Sequence, residues 1–343
     1  MPAGETQEGF VARWTRFWFA PSDPIAFKTM RTLTGGLVAL WLLSLIGSQT
    51  ALFGAQGWLD LRGYAVGREQ RLMDAAGVAM PVQGWADPLR LDSRLVIPEW
   101  SPLYWATSPA LVHAFYFGGI AAAALFALGI APRITGVLNW LTVATFTANP
   151  ILSSYGGESL LLMISFYLMV GQLLIGAEAG KALTPGFWLG NEAPEKSAAA
   201  NFALRLIQVH FAILVVATAF CKVQTYYWWE GIGLWFLYRP ADQLTYEQVT
   251  ELRGSPSSVR LEFGLLGLLG YATIAWQLCF PFYAWKKPAV VGGGGILGLL
   301  GCWFLYRLPM FGPTFLLACF AFIPACGWRT AIGRIVKRGQ STS

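Results

Sequence analysis

The sequence predicts an all-α, polytopic transmembrane bundle of about eight spans, and three observations carry that prediction. Hydrophobic residues make up 55% of the 343 and charged residues only 12%, where a soluble domain holds roughly 25% charged residues. Mean hydropathy is +0.51. Windows nearly free of charge recur at about 20 residues, the length that crosses roughly 30 Å of hydrocarbon at about 1.5 Å per residue. A β-barrel would instead read as short alternating segments, and this sequence does not.

Residues 1–20 contain Phe10–Phe19, where Trp14, Phe17 and Trp18 stand among Arg13 and Arg16, as in an interfacial amphipathic helix. A membrane domain over residues 21–328 follows, with apolar windows at Ile25–Ile46, Pro109–Ile130, Ile134–Pro150, Leu160–Ile175, Phe202–Cys221, Leu261–Tyr283, Pro288–Leu305 and Leu308–Ala325. The third and fourth are short, which fits tilted or re-entrant segments. Two long loops, residues 51–108 and 223–260, are rich in Trp, Tyr, Pro and Gly. They read as lids at the headgroup level, where amphipathic rings are favoured. Residues 329–343 form a basic tail. No cleavable signal peptide is expected, because the N-terminus is polar and the first apolar run has spanning length.

An even number of spans puts both ends on one side, and the short segments richest in Lys and Arg choose the cytoplasm. Those segments carry Arg13, Arg16, Lys28 and Arg31, then Arg133, then Lys181, Lys196 and Arg205, then Lys286 and Lys287, and finally Arg329, Arg334, Lys337 and Arg338. The basic balance fits contact with anionic inner-leaflet lipids. Nothing indicates nucleic acid, since zinc-finger spacing and a soluble basic domain are both missing from the sequence. The five cysteines lie in or beside apolar windows with no close C-x-x-C pair, so they read as buried, unpaired thiols. No metal or nucleotide is indicated. The run Gly292–Gly295 has no preceding strand and no following phosphate-binding Lys, which leaves close helix packing as its use.

Ionisable groups within a bilayer are costly unless they reach the interface, so their depth matters more than their number. With the ends inside, His113, Glu158, Lys222, Glu262 and Arg307 all fall at the outer ends of their spans. Two acids, two bases and a histidine at one depth would form a polar floor beneath an apolar cavity, a setting for chemistry on a lipid-soluble molecule. On span five, Gln208, Phe211, Val215, Thr218 and Lys222 share a face at 100° per residue. His210 points about 120° away and lies about 18 Å deeper, as a neutral interhelical histidine would. Arg31 reads as a snorkelling side chain. An amine desolvated at Lys222 can serve as a base.

Three segments carry a family resemblance. They are Asn149-Pro150 followed by Ser154–Leu160 (SYGGESL), Leu206–Gly231 (LIQVHFAILVVATAFCKVQTYYWWEG) and Met310–Pro324 (MFGPTFLLACFAFIP). Together they resemble the horizontally transferred transmembrane domain family, whose best-known members are the vitamin K-dependent gamma-glutamyl carboxylases. In bacterial members the Gly-Gly motif usually ends in Asp, and Glu158 takes that place here. The resemblance makes Lys222 the counterpart of the base that deprotonates vitamin K hydroquinone, although it follows Cys221 where the animal carboxylases have two adjacent lysines. It implies a reduced isoprenoid quinone as cofactor, a secreted peptide as partner, Glu158 as an orienting or substrate-binding acid, and Trp228 and Trp229 as covers for the quinone ring.

The leading functional expectation is therefore a quinol- or peptide-acting membrane enzyme with Lys222 as base and Glu158 beside it. His113, Trp228, Trp229, Glu262 and Arg307 would complete its substrate site. A non-catalytic subunit that scaffolds a membrane complex or assists maturation or export of a partner is the alternative. A transporter ranks third, because it needs polar groups along a whole path and the cytoplasmic halves of spans four, seven and eight offer almost none. The resemblance to prokaryotic members and the basic inner segments point to a bacterial inner membrane. This topology predicts that an impermeant thiol reagent modifies a cysteine placed in residues 223–260 of a cysteine-free variant in intact cells. Modification only after permeabilisation would reverse the orientation.

Overall fold

In a computed structural model, every regular element among the described residues is helical. The structure describes residues 9–54, 57–58, 102–105, 108–148, 157–179, 196–238, 247–248, 257–304 and 310–341. Helices α1 (Phe10–Phe19), α2 (Ile25–Ser44) and α3 (Gln49–Phe53) open the chain, and a 3-10 turn spans Pro102–Trp105. Helices α4 (Pro109–Leu128), α5 (Pro132–Thr147) and α6 (Gly157–Ala179) follow, then α7 (Ala198–Val223), α8 (Tyr226–Trp229) and α9 (Gly233–Tyr238). The last four are α10 (Ser257–Tyr283), α11 (Pro288–Phe304), α12 (Phe311–Phe320) and α13 (Ala325–Ser341).

Among the described residues, four helices are long and apolar enough to cross a bilayer, over Pro109–Leu128, Gly157–Ile175, Ala198–Val223 and Leu261–Tyr283. A fifth span results if α12 and the start of α13 count together, though they meet at a bend of 112°. This is the architecture of a multi-pass membrane protein, with four to five spans by length and composition where the sequence pattern predicts about eight. Helix α11 is apolar but has 17 residues, α5 has 16, and α2 carries Lys28 and Arg31.

Helix ends follow local chemistry. Ser108 and Ser197 accept hydrogen bonds from the N–H groups of Leu111 and Ala200, capping α4 and α7. Pro109 and Pro132 stand at the first helical turn, where a missing N–H costs nothing. Gly129 ends α4 in the left-handed region at φ 77°.

The chain divides into two compact units, Met1–Met30 with Glu192–Ser343, and Arg31–Asn191. In the first, Asn201 Nδ2 donates to the carbonyls of Phe17 and Trp18 at 3.1 Å each, holding α1 against α7. Phe10, Val11, Trp14 and Phe19 remain exposed on α1, so the expected amphipathic helix forms. Asp23 joins the ends of this unit: one carboxylate oxygen accepts from the Ile25 N–H and the other pairs with Arg329 Nε at 2.7 Å. In the second unit, α2 lies directly on α4. A Cβ added to Gly35 would stand 2.7 Å from the Ala123 carbonyl oxygen and the Ala127 nitrogen.

Two expectations need correction. Arg31 does not snorkel: it is 0% exposed, with its guanidinium against Gly129. The cysteines are all free, but only Cys302 and Cys319 are buried; Cys221, Cys279 and Cys326 lie on exposed faces, where a soft thiol costs little in lipid. Close approach at Gly35 yields a controlled test. Gly35→Leu should lower the thermal midpoint in detergent by the equivalent of about 1–3 kcal/mol of overpacking. Gly36→Leu should leave it nearly unchanged, since nothing lies within 4 Å of a Cβ there.

Candidate functional site

Lys222 stands in the last turn of α7, where a cation offsets the negative end of the helix. Its Nζ donates to Gln277 Oε1 of α10 at 2.8 Å and lies 5.2 Å from the centroid of the Trp228 ring. Among the described residues no carboxylate reaches it. The amine is half-buried, held between a neutral amide and an aromatic face.

The chain beyond Lys222 does not lie flat at one level. It runs along α10 for about 12 Å by helical rise. Tyr271 donates its hydroxyl to the Trp229 carbonyl, Trp228 lies against Gly270, Gly231 approaches Gly267, and Trp235 stacks on Phe263 at 5.0 Å. Glycines permit this contact. Gly231 turns the chain at φ 73°, and a Cβ on Gly233 would stand 2.7 Å from the Trp228 ring. An apolar pocket of about 170 Å³ opens beside Lys222, lined by Val223, Trp228, Trp229, Tyr271, Ile274, Ala275 and Leu278. That is below the roughly 300–1,000 Å³ of a drug-sized site, and suits one aromatic ring with any tail outside.

No family model, no curated protein and no solved structure matches this chain.

Of the residues singled out in the sequence, Trp228 and Trp229 line this pocket, and the Lys222 amine, outside the lining, lies over the Trp228 ring. Glu262 lies on the same helix as Gln277 but fifteen residues earlier, about 22 Å by helical rise, so it is at a different depth from Lys222. His113, on α4 with its ring 6.2 Å from Phe117, and Glu158, 3% exposed at the start of α6, belong to the other unit. Arg307 lies outside the described residues. Gln277 and Tyr271 were missed. The available signal was a lone amide inside an apolar span, because such a group in lipid needs a partner.

A second set of polar groups also escaped the sequence reading. Glu158, Ser165 and Gln172 recur every seven residues along α6 and are each at most 3% exposed, so they share one face over about 21 Å. Thr34 and Asn139 are likewise 0% exposed. Thr34 Oγ1, both amide atoms of Asn139, Glu158 Oε2, Ser165 Oγ and Gln172 Nε2 have no hydrogen-bond partner among the described residues. In the second half of span four Gln172 is the polar group of this set, which accords with a path almost bare of polar groups there. An unmade hydrogen bond in a low-dielectric interior costs about 1–3 kcal/mol. Ser165→Ala and Asn139→Leu should thus hold or raise the thermal midpoint in detergent. A clear drop for both would mean that these groups have partners in the folded protein.

Proposed function

We propose that this chain is an eight-span membrane enzyme of the horizontally transferred transmembrane domain type, acting on a quinol-like lipid with Lys222 as its base. The spans are α2, α4, α5, α6, α7, α10, α11 and α12, with both ends in the cytoplasm of a bacterial cell. The reading is carried by one observation: the Lys222 amine bonds a neutral amide beside an aromatic pocket. A carboxylate neighbour would favour the charged ammonium form, whereas Gln277 accepts one N–H and leaves the nitrogen lone pair for a proton.

The pocket walls fit a planar apolar ring. Trp228 and Trp229 offer aromatic faces, and Ile274, Ala275 and Leu278 offer aliphatic ones. A quinol bound there supplies an acidic ring hydroxyl. Lys222 takes the proton at Nζ, Gln277 fixes the direction of the amine, and the tryptophans exclude water from the transfer. The pocket size favours the lipid rather than a folded peptide as the group that enters; a secreted peptide would act from outside it. Glu158 and His113 have no assigned part in this step.

Purified protein in detergent should consume oxygen when given a reduced isoprenoid quinone. Lys222→Ala should abolish that uptake while lowering thermal stability by no more than the roughly 1–3 kcal/mol of the lost hydrogen bond to Gln277. A wild type without quinol-dependent uptake, together with a loss in Lys222→Ala approaching the roughly 3–5 kcal/mol of a broken buried pair, would instead identify Lys222 as a structural residue of a scaffold.

A further inference from the structure

The costliest group to bury in the Arg31–Asn191 unit is the Arg31 guanidinium, which stays charged under all conditions a protein meets. It is 0% exposed, and Nε, Nη1 and Nη2 all lack a hydrogen-bond partner among the described residues. It occupies the space that a side chain at position 129 would fill: a Cβ on Gly129 would run into Nη2. Gly129 closes α4, so the charge lies at that helix's negative end. A helix terminus offsets only about half an elementary charge.

The packing register shows what else lies at this level. Gly35 meets Ala123 and Ala127, Gly136 meets Phe126 and Met169, and Trp140 meets Phe166. Carried along the helices, these contacts put Gln172 of α6 level with Arg31 of α2, at the end of the unit where α5 begins. Gln172 is 2% exposed, and its Nε2 is also without a partner among the described residues. The unsatisfied groups at this level are thus four donor nitrogens carrying a net positive charge. Water would satisfy the donors and leave the charge unbalanced. An acceptor-rich anion satisfies both, and the planar guanidinium fork matches two oxygens of one group.

We propose that Arg31 and Gln172 bind an oxyanion, a phosphate or a carboxylate, at this end of the unit. The turn between α4 and α5 adjoins this level. Ala131, between α4 and α5, holds φ at 43°, a left-handed conformation that is strained for a residue with a Cβ and is kept where structure must move or bind. The source of the oxyanion is a lipid headgroup or a soluble anion, and the chemistry of the site is the same for both. The site does not depend on Lys222.

The test uses the full chain in neutral detergent and follows thermal unfolding against two probes, inorganic phosphate and short-chain phosphatidylglycerol, with chloride at matched ionic strength as reference. At least one probe should raise the midpoint of the wild type in a saturating manner. Phosphate alone would identify a soluble anion, and phosphatidylglycerol alone a lipid headgroup; both would support the shared chemistry. Arg31→Gln should weaken the response at least about tenfold, as expected for loss of a charged bidentate contact. Gln172→Met, which keeps the charge and the volume, should weaken it severalfold, and decides alone should Arg31→Gln not fold. No response in the wild type, or an unchanged response in Gln172→Met, overturns the proposal.

Discussion

The hydrogen bond from Gln208 Nε2 to the carbonyl of Ala321, at 2.7 Å, is the constraint around which the larger unit is arranged. Helix α12 runs toward Pro324, which has no N–H to offer, and the chain bends there by 112°. Carbonyls freed at such a break cost several kcal/mol each in hydrocarbon unless something else binds them. Gln208 does so from α7. Its oxygen accepts from Trp285 Nε1 and Arg205 Nη1. One amide therefore fixes the end of α12, the turn after α10 and the N-terminal half of α7. Phe211, Phe280, Phe315 and Phe322 close around the same point at ring distances between 5.3 and 6.3 Å.

That anchor decides where Lys222 goes. Fourteen residues separate it from Gln208 along one unbroken helix, about 21 Å. The other end of α7 therefore reaches α10 at Gln277 rather than at the start of α10. The stretch of α10 left uncovered beyond Gln277 has to be covered by something apolar, and the segment from Trp228 to Trp235 does it, glycine against glycine. The aromatic pocket beside Lys222 is thus a by-product of the mismatch between a helix that stops early and a partner that continues. Its residues were recognisable in the sequence as aromatic, but their register was not.

Legibility followed the range of the forces involved. The window Leu261–Tyr283 ends where α10 does, and Pro109 begins α4 as read, because proline and the left-handed Gly129 punctuate the chain locally. Span five was read as Phe202–Cys221 and is longer, Ala198–Val223, since alanines and a capping serine extend it beyond the strongly apolar core. The last span was read through to Ala325, whereas α12 stops at Phe320, because hydropathy does not register a bend. Arg31 was misplaced for a related reason. A snorkelling arginine and a buried one have the same sequence context, and only the approach of Gly129 from another helix distinguishes them. The same holds for Gln277, whose bond to Lys222 joins residues 55 apart.

The two units treat the same side-chain chemistry in opposite ways. In the larger unit the buried amides Asn201, Gln208 and Gln277 each complete a hydrogen bond to another element, and each bond sets a helix register. In the Arg31–Asn191 unit, Asn139 and Gln172 are as deeply buried, yet amide atoms of both lack partners among the described residues. Packing cannot explain keeping such groups, since leucine or methionine would fill the same volume at lower cost. Nor do they fix register, because Gly35, Gly136 and the Trp140–Phe166 contact already do that. Under the oxyanion proposal Gln172 is kept for what it binds. In the larger unit the amides serve the architecture; in the smaller, glycine supplies the architecture and Gln172 is left for the proposed oxyanion.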